Sequence, residues 1–275
     1  MTVYSPSQLE DALNILRDPG FVVIAGGTDY FPSLKMGGSQ DNILNVMKLP
    51  EMNTITFEEG GFRIGGAVSW TQIIKSDLPA AFDALKAAGQ EVGSIQIQNA
   101  GTIAGNLCNA SPAADGVPPL LALEAEIELQ SAKRGKRQIP LVKFLKGIRN
   151  TDRQKDELVT SIFVPHPPKG MKSVFTKLGS RSYLVISICM TAISILLNGS
   201  GRIIDIRIAV GACSPVAQRL KTLEREMMGC RPNEVAICER HLLSLTPISD
   251  VRGSAVFRQE AVAEQIVRSL SRAVL

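Results

Sequence analysis

A short glycine-rich turn near the start of the chain has the composition of a phosphate-binding loop. Residues 25–29 read Ala-Gly-Gly-Thr-Asp and end the apolar run 21–25, which predicts a buried strand. Glycine permits positive φ and a close approach of the backbone to a ligand. Consecutive free N–H groups in such a turn suit a phosphate or diphosphate, and Thr28 adds a hydroxyl group. The turn is neither a G-x-G-x-x-G fingerprint nor a Walker A loop, and on its own it is also compatible with a tight structural turn.

A second segment, residues 99–115, combines small apolar residues with many short polar ones. Gly101 and Gly105 interrupt it, while Asn106, Asn109 and Asp115 offer hydrogen-bonding groups with little bulk. Such a composition predicts a segment that passes close beside a large polar ligand. A packed connection rich in Asx turns is the alternative for this segment taken alone.

Few other residues offer chemistry. The five cysteines form no C-x-x-C pair, which argues against a zinc or iron–sulfur site. The two histidines, His166 and His241, lie outside both glycine-rich segments. No Ser-His-Asp or Cys-His arrangement is apparent, so hydrolytic chemistry is not predicted.

Periodicity, capping residues and turn residues predict the elements that must position these segments. Helices are expected over residues 7–16, 71–76, 80–88, 118–123, 218–228, 233–245 and 254–275, and strands over 21–25, 43–46, 54–57, 62–65, 125–129, 158–164, 173–177, 186–197 and 203–212. Three prolines within residues 165–170 predict a linker. Asn198-Gly199-Ser200-Gly201 predicts a hairpin turn between the last two strands.

Composition restricts the class of protein. Of 275 residues, 45% are hydrophobic and 20% are charged, as in ordinary globular proteins. The longest apolar run has 15 residues (183–197), too short for a membrane span. With no secretory signal at the start, the chain is expected in the cytoplasm. Residues 131–275 carry 24 basic and 11 acidic side chains, but aromatic residues make up only 5%, so no nucleic-acid partner is predicted.

The two glycine-rich segments together resemble a known family. Ala-Gly-Gly-Thr-Asp at 25–29, Ile-Gly-Gly-Ala at 64–67, Gln-Asn-Ala-Gly-Thr-Ile-Ala-Gly-Asn at 98–106 and Ala-Ser-Pro-Ala-Ala-Asp at 110–115 resemble the FAD-binding medium subunit of the xanthine dehydrogenase/carbon monoxide dehydrogenase, or molybdenum hydroxylase, family. The resemblance continues through residues 175–181 and 201–211 and so covers nearly the whole chain. The family commonly has glycine where this chain has Ala104, and arginine where it has Gln98.

The resemblance implies which residues bind the cofactor. It places Ile24, Ala25, Gly26, Gly27, Thr28 and Asp29 around the FAD diphosphate, Thr102, Gly105 and Asn106 on its other side, Asp115 at the ribityl or phosphate region, Lys177 near the isoalloxazine ring and Ile162 at the flavin edge. A cation at Lys177 would favour the reduced, anionic flavin.

The resemblance also implies the fold and the assembly. We expect an α+β protein with a two-subdomain FAD-binding domain of the PCMH type over residues 1–168, followed over 169–275 by a CO dehydrogenase flavoprotein-like domain, a three-stranded antiparallel sheet with a helical bundle. FAD would be bound non-covalently. A large partner subunit would carry molybdopterin and a small one two [2Fe–2S] clusters, and this chain would pass electrons from the clusters through FAD to NAD or another acceptor. No iron–sulfur cluster and no membrane insertion are expected of this chain itself.

Two other functions remain open from the sequence. One is a stand-alone flavoenzyme of the vanillyl-alcohol oxidase or MurB type, in which Cys108 could tether the flavin. The other is a binding module that kept the fold and lost FAD. A visible spectrum of the isolated chain and a turnover assay without partners would separate the three.

Overall fold

The described residues form three sheets of three to five strands, which follow one another along the chain, and one two-stranded sheet; the first two flank the glycine-rich segments. The structure, a computed structural model, describes residues 2–34 and 41–273. Mixed α and β elements fill this range, which confirms the predicted α+β class. No helix within the described residues is both long and apolar enough to cross a membrane.

The first subdomain is a small parallel sheet with strand order β1-β3-β2. Its elements are β1 (Val3–Tyr4), α1 (Leu9–Ile15), β2 (Phe21–Ile24), α2 (Tyr30–Ser33) and β3 (Asn42–Asn45). Ala12 and Leu16 of the α1 region join Leu44 of β3 in a separate hydrophobic core. The residues after β2 therefore leave the carboxyl edge of a parallel sheet, where ligands commonly bind in α/β proteins.

The second subdomain is a five-stranded antiparallel sheet with several short helices. Its elements are β4 (Ile55–Glu58), β5 (Gly61–Gly65), α3 (Trp70–Lys75), α4 (Asp83–Gln90), α5 (Ile95–Ala100), α6 (Ile103–Asn109), α7 (Val117–Ala122), β6 (Glu126–Ser131), β7 (Gly135–Pro140), α8 (Leu141–Phe144), β8 (Leu145–Gly147), β9 (Asn150–Thr151) and β10 (Leu158–Pro165), with 3-10 turns at Pro50–Met52 and Ala80–Phe82. The strand order is β4-β5-β10-β6-β7, and β8 and β9 form a separate hairpin.

The segment 99–115 is more regular than its composition suggests. It contains the end of α5 and the whole of α6, so most of it is helical. The Thr102 side chain caps α6 by accepting a hydrogen bond from the Gly105 N–H at 3.1 Å. Ala110, in the left-handed region at φ 46°, ends the helix. The segment that looks like a glycine-rich turn in the sequence is therefore a capped helix.

The C-terminal part is a four-stranded antiparallel sheet covered by helices. Its elements are β11 (Lys172–Leu178), β12 (Cys189–Leu197), β13 (Ile203–Gly211), β14 (Gln218–Arg219), α9 (Lys221–Met227), α10 (Glu239–Leu242) and α11 (Ala255–Ala273). Three strands were predicted; the fourth, β14, pairs with β13 through two residues only. The helix predicted over 218–228 therefore begins later, and that over 233–245 shrinks to α10. The end of the helix predicted over 254–275 lies outside the described residues.

Strand β12 is buried on both faces. Met190 and Ala192 point into the core shared with the second subdomain, whereas Cys189, Ile193 and Ile195 point into the core beneath α11. Helix α11 buries Val262, Ile266 and Leu270 at a spacing of four residues on that second core. The C-terminal part thus shares one hydrophobic core with the second subdomain.

Candidate cofactor-binding site

An elongated cleft of about 790 Å³ lies between the turn after β2 and helices α5 and α6. This volume falls in the range of small-molecule and cofactor sites. Nine of the twelve predicted site residues line the cleft, namely Ile24, Ala25, Gly26, Gly27, Thr28, Asp29, Thr102, Gly105 and Asn106. The structure therefore brings together both glycine-rich segments.

The two segments meet through backbone contacts that exclude side chains. A Cβ on Gly26 would lie 1.8 Å from the carbonyl oxygen of Ala100, so only glycine fits at this position. Gly27 adopts φ +67°, and a Cβ there would also meet the Phe31 ring at 2.4 Å. Gly26 therefore lets the first turn lie against the end of α5, and Gly27 allows the left-handed backbone of the turn itself.

The first turn presents unpaired backbone donors. Among the hydrogen bonds of the described residues, none uses the N–H of Gly26, Gly27, Thr28 or Asp29. All four residues belong to the cleft wall. These residues are half-buried or exposed, so their N–H groups are open to the cleft, and a row of such donors suits an anionic group such as a phosphate.

The second segment differs from the first in this respect. The N–H groups of Ile103 and Ala104 donate to the carbonyl oxygens of Val68 (3.0 Å) and Gly66 (3.3 Å). The Gly105 N–H donates to the Thr102 hydroxyl. The start of α6 therefore offers side chains and the bare surface at Gly105 to a ligand, and no free N–H groups from these three residues.

Asn106 supplies a second indication of a ligand-binding site. Its Oδ1 is one of three buried side-chain polar atoms that have no hydrogen-bond partner in the described part of the chain. A buried acceptor without a donor costs free energy, and a ligand hydroxyl group could satisfy it. The free donors at 26–29 and this free acceptor match a ligand that carries both phosphate and hydroxyl groups, as FAD does. The residues present fit the cofactor that the resemblance implies.

Asp115 and Lys177 lie outside the cleft wall and form a buried ion pair. Lys177 Nζ donates to Asp115 Oδ2 at 2.9 Å and to the Glu91 carbonyl oxygen at 3.3 Å. The Ser187 hydroxyl donates to Asp115 Oδ1 at 2.8 Å. Burial raises the pKa of Asp115 above its ordinary value, against the opposing effects of Lys177 and Ser187. The pair joins the loop after α6 to strand β11 of the C-terminal part.

Ile162 is placed away from the cleft. It lies in β10, the central strand of the five-stranded sheet, where it pairs with Ile64 and Ile127. Its side chain is completely buried in the main core. In this structure it supports the sheet.

Several cleft residues were not predicted. Arg149, Thr151 and Arg153 reach it from the β8–β9 hairpin and the chain that follows, and Trp70 and Val92 form apolar wall. In the sequence, Arg149 and Arg153 belong to a basic stretch over residues 133–155 that carries no recognisable motif.

Cys108 also faces the cleft, and burial raises the pKa of its thiol to about 11 despite the nearby positive charge of Arg153. The thiol is therefore protonated at neutral pH.

Comparisons with known proteins agree with this geometry. Residues 1–167 match the family model for the FAD binding domain in molybdopterin dehydrogenase, and residues 175–273 match that for the CO dehydrogenase flavoprotein C-terminal domain. The chain is 34% identical over 262 residues to the glyceraldehyde dehydrogenase medium chain of Sulfolobus acidocaldarius, covering 92% of this chain and 91% of that protein. It is 31% identical to the xanthine dehydrogenase FAD-binding subunit of Escherichia coli O157:H7, with 97% and 93% covered.

The fold has a close counterpart among solved structures. Reconstituted CO dehydrogenase from Oligotropha carboxidovorans aligns with a TM-score of 0.91 at 22% identity, covering 100% of this chain and 97% of that one. The two family models together span nearly all of the sequence, and the curated relatives agree with them. This chain therefore belongs to the family of FAD-binding medium subunits of the molybdenum hydroxylases.

Proposed function

We propose that this chain is the electron-transfer subunit of a three-subunit molybdenum hydroxylase in the cytoplasm. Its partners would be a large subunit with molybdopterin and a small subunit with two [2Fe–2S] clusters. When bound, FAD supplies redox chemistry that takes electrons from those clusters and passes them to NAD or another acceptor. The relatives support this proposal, because several are named as single subunits of dehydrogenases. A domain boundary near residue 168, within the proline-rich linker, is part of the same proposal.

The observation that carries the proposal is the row of unpaired N–H groups at residues 26–29 on the wall of a cofactor-sized cleft. These donors would hold the diphosphate, and the bare Gly105 would let the cofactor lie close against α6. Asn106 would accept a hydrogen bond from a hydroxyl group of the cofactor. Trp70 and Val92 would shield one side from water. No side chain here is asked to act as an acid, base or nucleophile.

The test of cofactor binding uses the only tryptophan of the chain. Trp70 lines the cleft, so FAD bound there is expected to quench its fluorescence. We expect the isolated chain to show a flavin spectrum as purified, or saturable quenching when the apoprotein is titrated with FAD. A chain that binds no FAD by either measurement would contradict the proposal.

A pair of glycine variants tests whether the cleft is the site. Gly105 is exposed, and a Cβ there meets only the Thr102 hydroxyl oxygen, at 2.9 Å. Gly105→Leu should therefore fill the cleft and abolish FAD retention. Gly199 lies in the turn between β12 and β13, where a Cβ would meet no heavy atom within 4 Å, so Gly199→Leu is the matched control and should bind FAD normally. Full FAD retention by Gly105→Leu would show that FAD binds elsewhere in the chain.

The electron-transfer part of the proposal needs the assembled complex. Co-expression with the molybdopterin and iron–sulfur subunits should yield a complex that contains all three chains. Anaerobic addition of the substrate that the complex hydroxylates should bleach the flavin band, and NAD should restore it if NAD is the acceptor. Reduction of the clusters without bleaching of the flavin would contradict the proposed route.

A further inference from the structure

We infer that Arg149 binds the diphosphate of the dinucleotide in the cleft and supplies the positive charge that the glycine turn lacks. This inference rests on the proposed function. It concerns a residue that neither the sequence motifs nor the resemblance nominates. Three observations carry it: the place of Arg149 in the fold, its backbone conformation and its unpaired guanidinium group.

The first observation is that Arg149 is fixed to the cleft. It lies in the turn of the β8–β9 hairpin, and its backbone N–H donates to the carbonyl oxygen of Ala110 at 3.0 Å. Ala110 is the residue that ends α6, the helix that carries Asn106. The turn is therefore attached to one end of the cleft wall, and Arg149 is among the residues that line the cleft.

The second observation is an unfavourable backbone conformation. Arg149 adopts φ 56°, a left-handed conformation that glycine or asparagine takes at lower cost. In a two-residue hairpin turn, glycine is the usual choice for such a position. This conformation costs free energy in a residue that has a side chain, and residues held in such conformations cluster at functional sites.

The third observation is a cation without a partner. No hydrogen bond or ion pair among the described residues uses the Arg149 guanidinium group, although Arg134 and Arg137 of the same basic stretch are each held by carboxylates. Arg153 is partly engaged, because its Nη1 donates to the carbonyl oxygens of Gln154 and Glu157. The charge of Arg149 therefore remains available to a ligand.

The charges of the cleft fit a dianion. Of the described residues that line it, Asp29 is acidic, whereas Arg149 and Arg153 are basic. The unpaired N–H groups at 26–29 donate hydrogen bonds but bring no full charge. Arginine complements them, because its planar group can donate two parallel hydrogen bonds to phosphate oxygens.

The variant Arg149→Gly tests this assignment without damaging the turn, because glycine adopts the same φ freely. We expect the dissociation constant for FAD, measured by Trp70 fluorescence, to rise about tenfold, a change equivalent to about 1.4 kcal/mol. Riboflavin, which has no phosphate, should bind wild type and variant alike. The melting temperature of the apoprotein should stay the same or rise, since strain is removed.

Lys155→Ala is the matched control. Lys155 is exposed in the same basic stretch, does not line the cleft, and its loss changes the net charge equally. It should leave the FAD dissociation constant within about twofold, because an exposed lysine that does not line the cleft stays hydrated and its charge is screened by salt. Equal FAD affinity in Arg149→Gly and wild type would overturn the inference and leave the proposed function intact. A parallel loss of riboflavin affinity, or an equal effect of Lys155→Ala, would also overturn it. Absence of FAD binding by the wild type would instead overturn the proposed function.

Discussion

Removal of the Lys177 ammonium group is the most direct test of the electrostatics beside the cleft. Its Nζ lies 2.9 Å from Asp115 Oδ2, and the two side chains are 6% and 10% exposed. Lys177→Met keeps the length and apolar stem of the side chain and removes the charge. Breaking a buried ion pair typically costs about 3–5 kcal/mol, because the remaining charge has no partner. Since the Ser187 hydrogen bond remains, we expect a loss of about 3 kcal/mol in the free energy of unfolding at pH 8.

The pKa of Asp115 determines how the loss of stability in Lys177→Met changes with pH. Burial holds the pKa of Asp115 above its ordinary value in the folded protein, and loss of Lys177 would raise it further. A carboxyl group with a raised pKa favours folding when protonated and opposes it when ionised, so its unfavourable effect grows as pH rises through that pKa. The variant should therefore be destabilised less at pH 5 than at pH 8.

Urea unfolding, followed by the fluorescence of Trp70, measures both values. The double variant Lys177→Met/Asp115→Asn has no buried charge at this point and should recover more than half of the loss at pH 8. An equal loss at pH 5 and pH 8, with no recovery in the double variant, would refute the electrostatic reasoning and indicate that Lys177 acts through packing alone.

Three further predictions concern stability and the cofactor. Gly26→Ala should lower the free energy of unfolding by about 3 kcal/mol in a thermal or urea melt, because the new methyl group would lie 1.8 Å from the Ala100 carbonyl oxygen; an unchanged melt would show that this contact relaxes easily. Glu157 has a 2% exposed side chain; burial tends to raise its pKa, but hydrogen bonds from Arg137 hold it below its ordinary value. Its stabilising effect should therefore disappear as pH falls below about 4.5, and Glu157→Gln should flatten the acid limb of a stability–pH curve, whereas an unchanged limb would contradict the assignment. Bound FAD should raise the melting temperature of the wild type in proportion to the logarithm of its concentration and leave that of Gly105→Leu unchanged.

Local residue types were enough to predict much of the fold. The long apolar run that ends at Leu197 and the turn Asn198–Gly201 predicted a hairpin, and β12 and β13 form it. Strand β14 has only two residues, which is too short for any periodic pattern. The helix expected over 233–245 shrinks to the four residues of α10, because the tertiary environment overrides weak helix propensity.

The candidate site was predictable where it depends on backbone geometry and not where it depends on distant contacts. The turn 25–29 has a recognisable composition, because few other residues can approach Ala100 so closely. Arg149 reaches the cleft only through a hairpin attached to Ala110, nearly forty residues earlier, and no local pattern shows such a contact. No helix was predicted around Thr102, whereas the amides of residues 103–105 are occupied within a capped helix.

The two-sided burial of β12 limits how this protein can be divided or recombined. A chain cut after Pro168 would lose Met190 and Ala192 from the core of the second subdomain and uncover the apolar surfaces of α4 and α7 against which β12 packs. Exchange of C-terminal segments between relatives would succeed only where the side chains on that face of β12 have matching volumes. The last hundred residues therefore complete the hydrophobic core of the second subdomain, and the two parts are expected to unfold together.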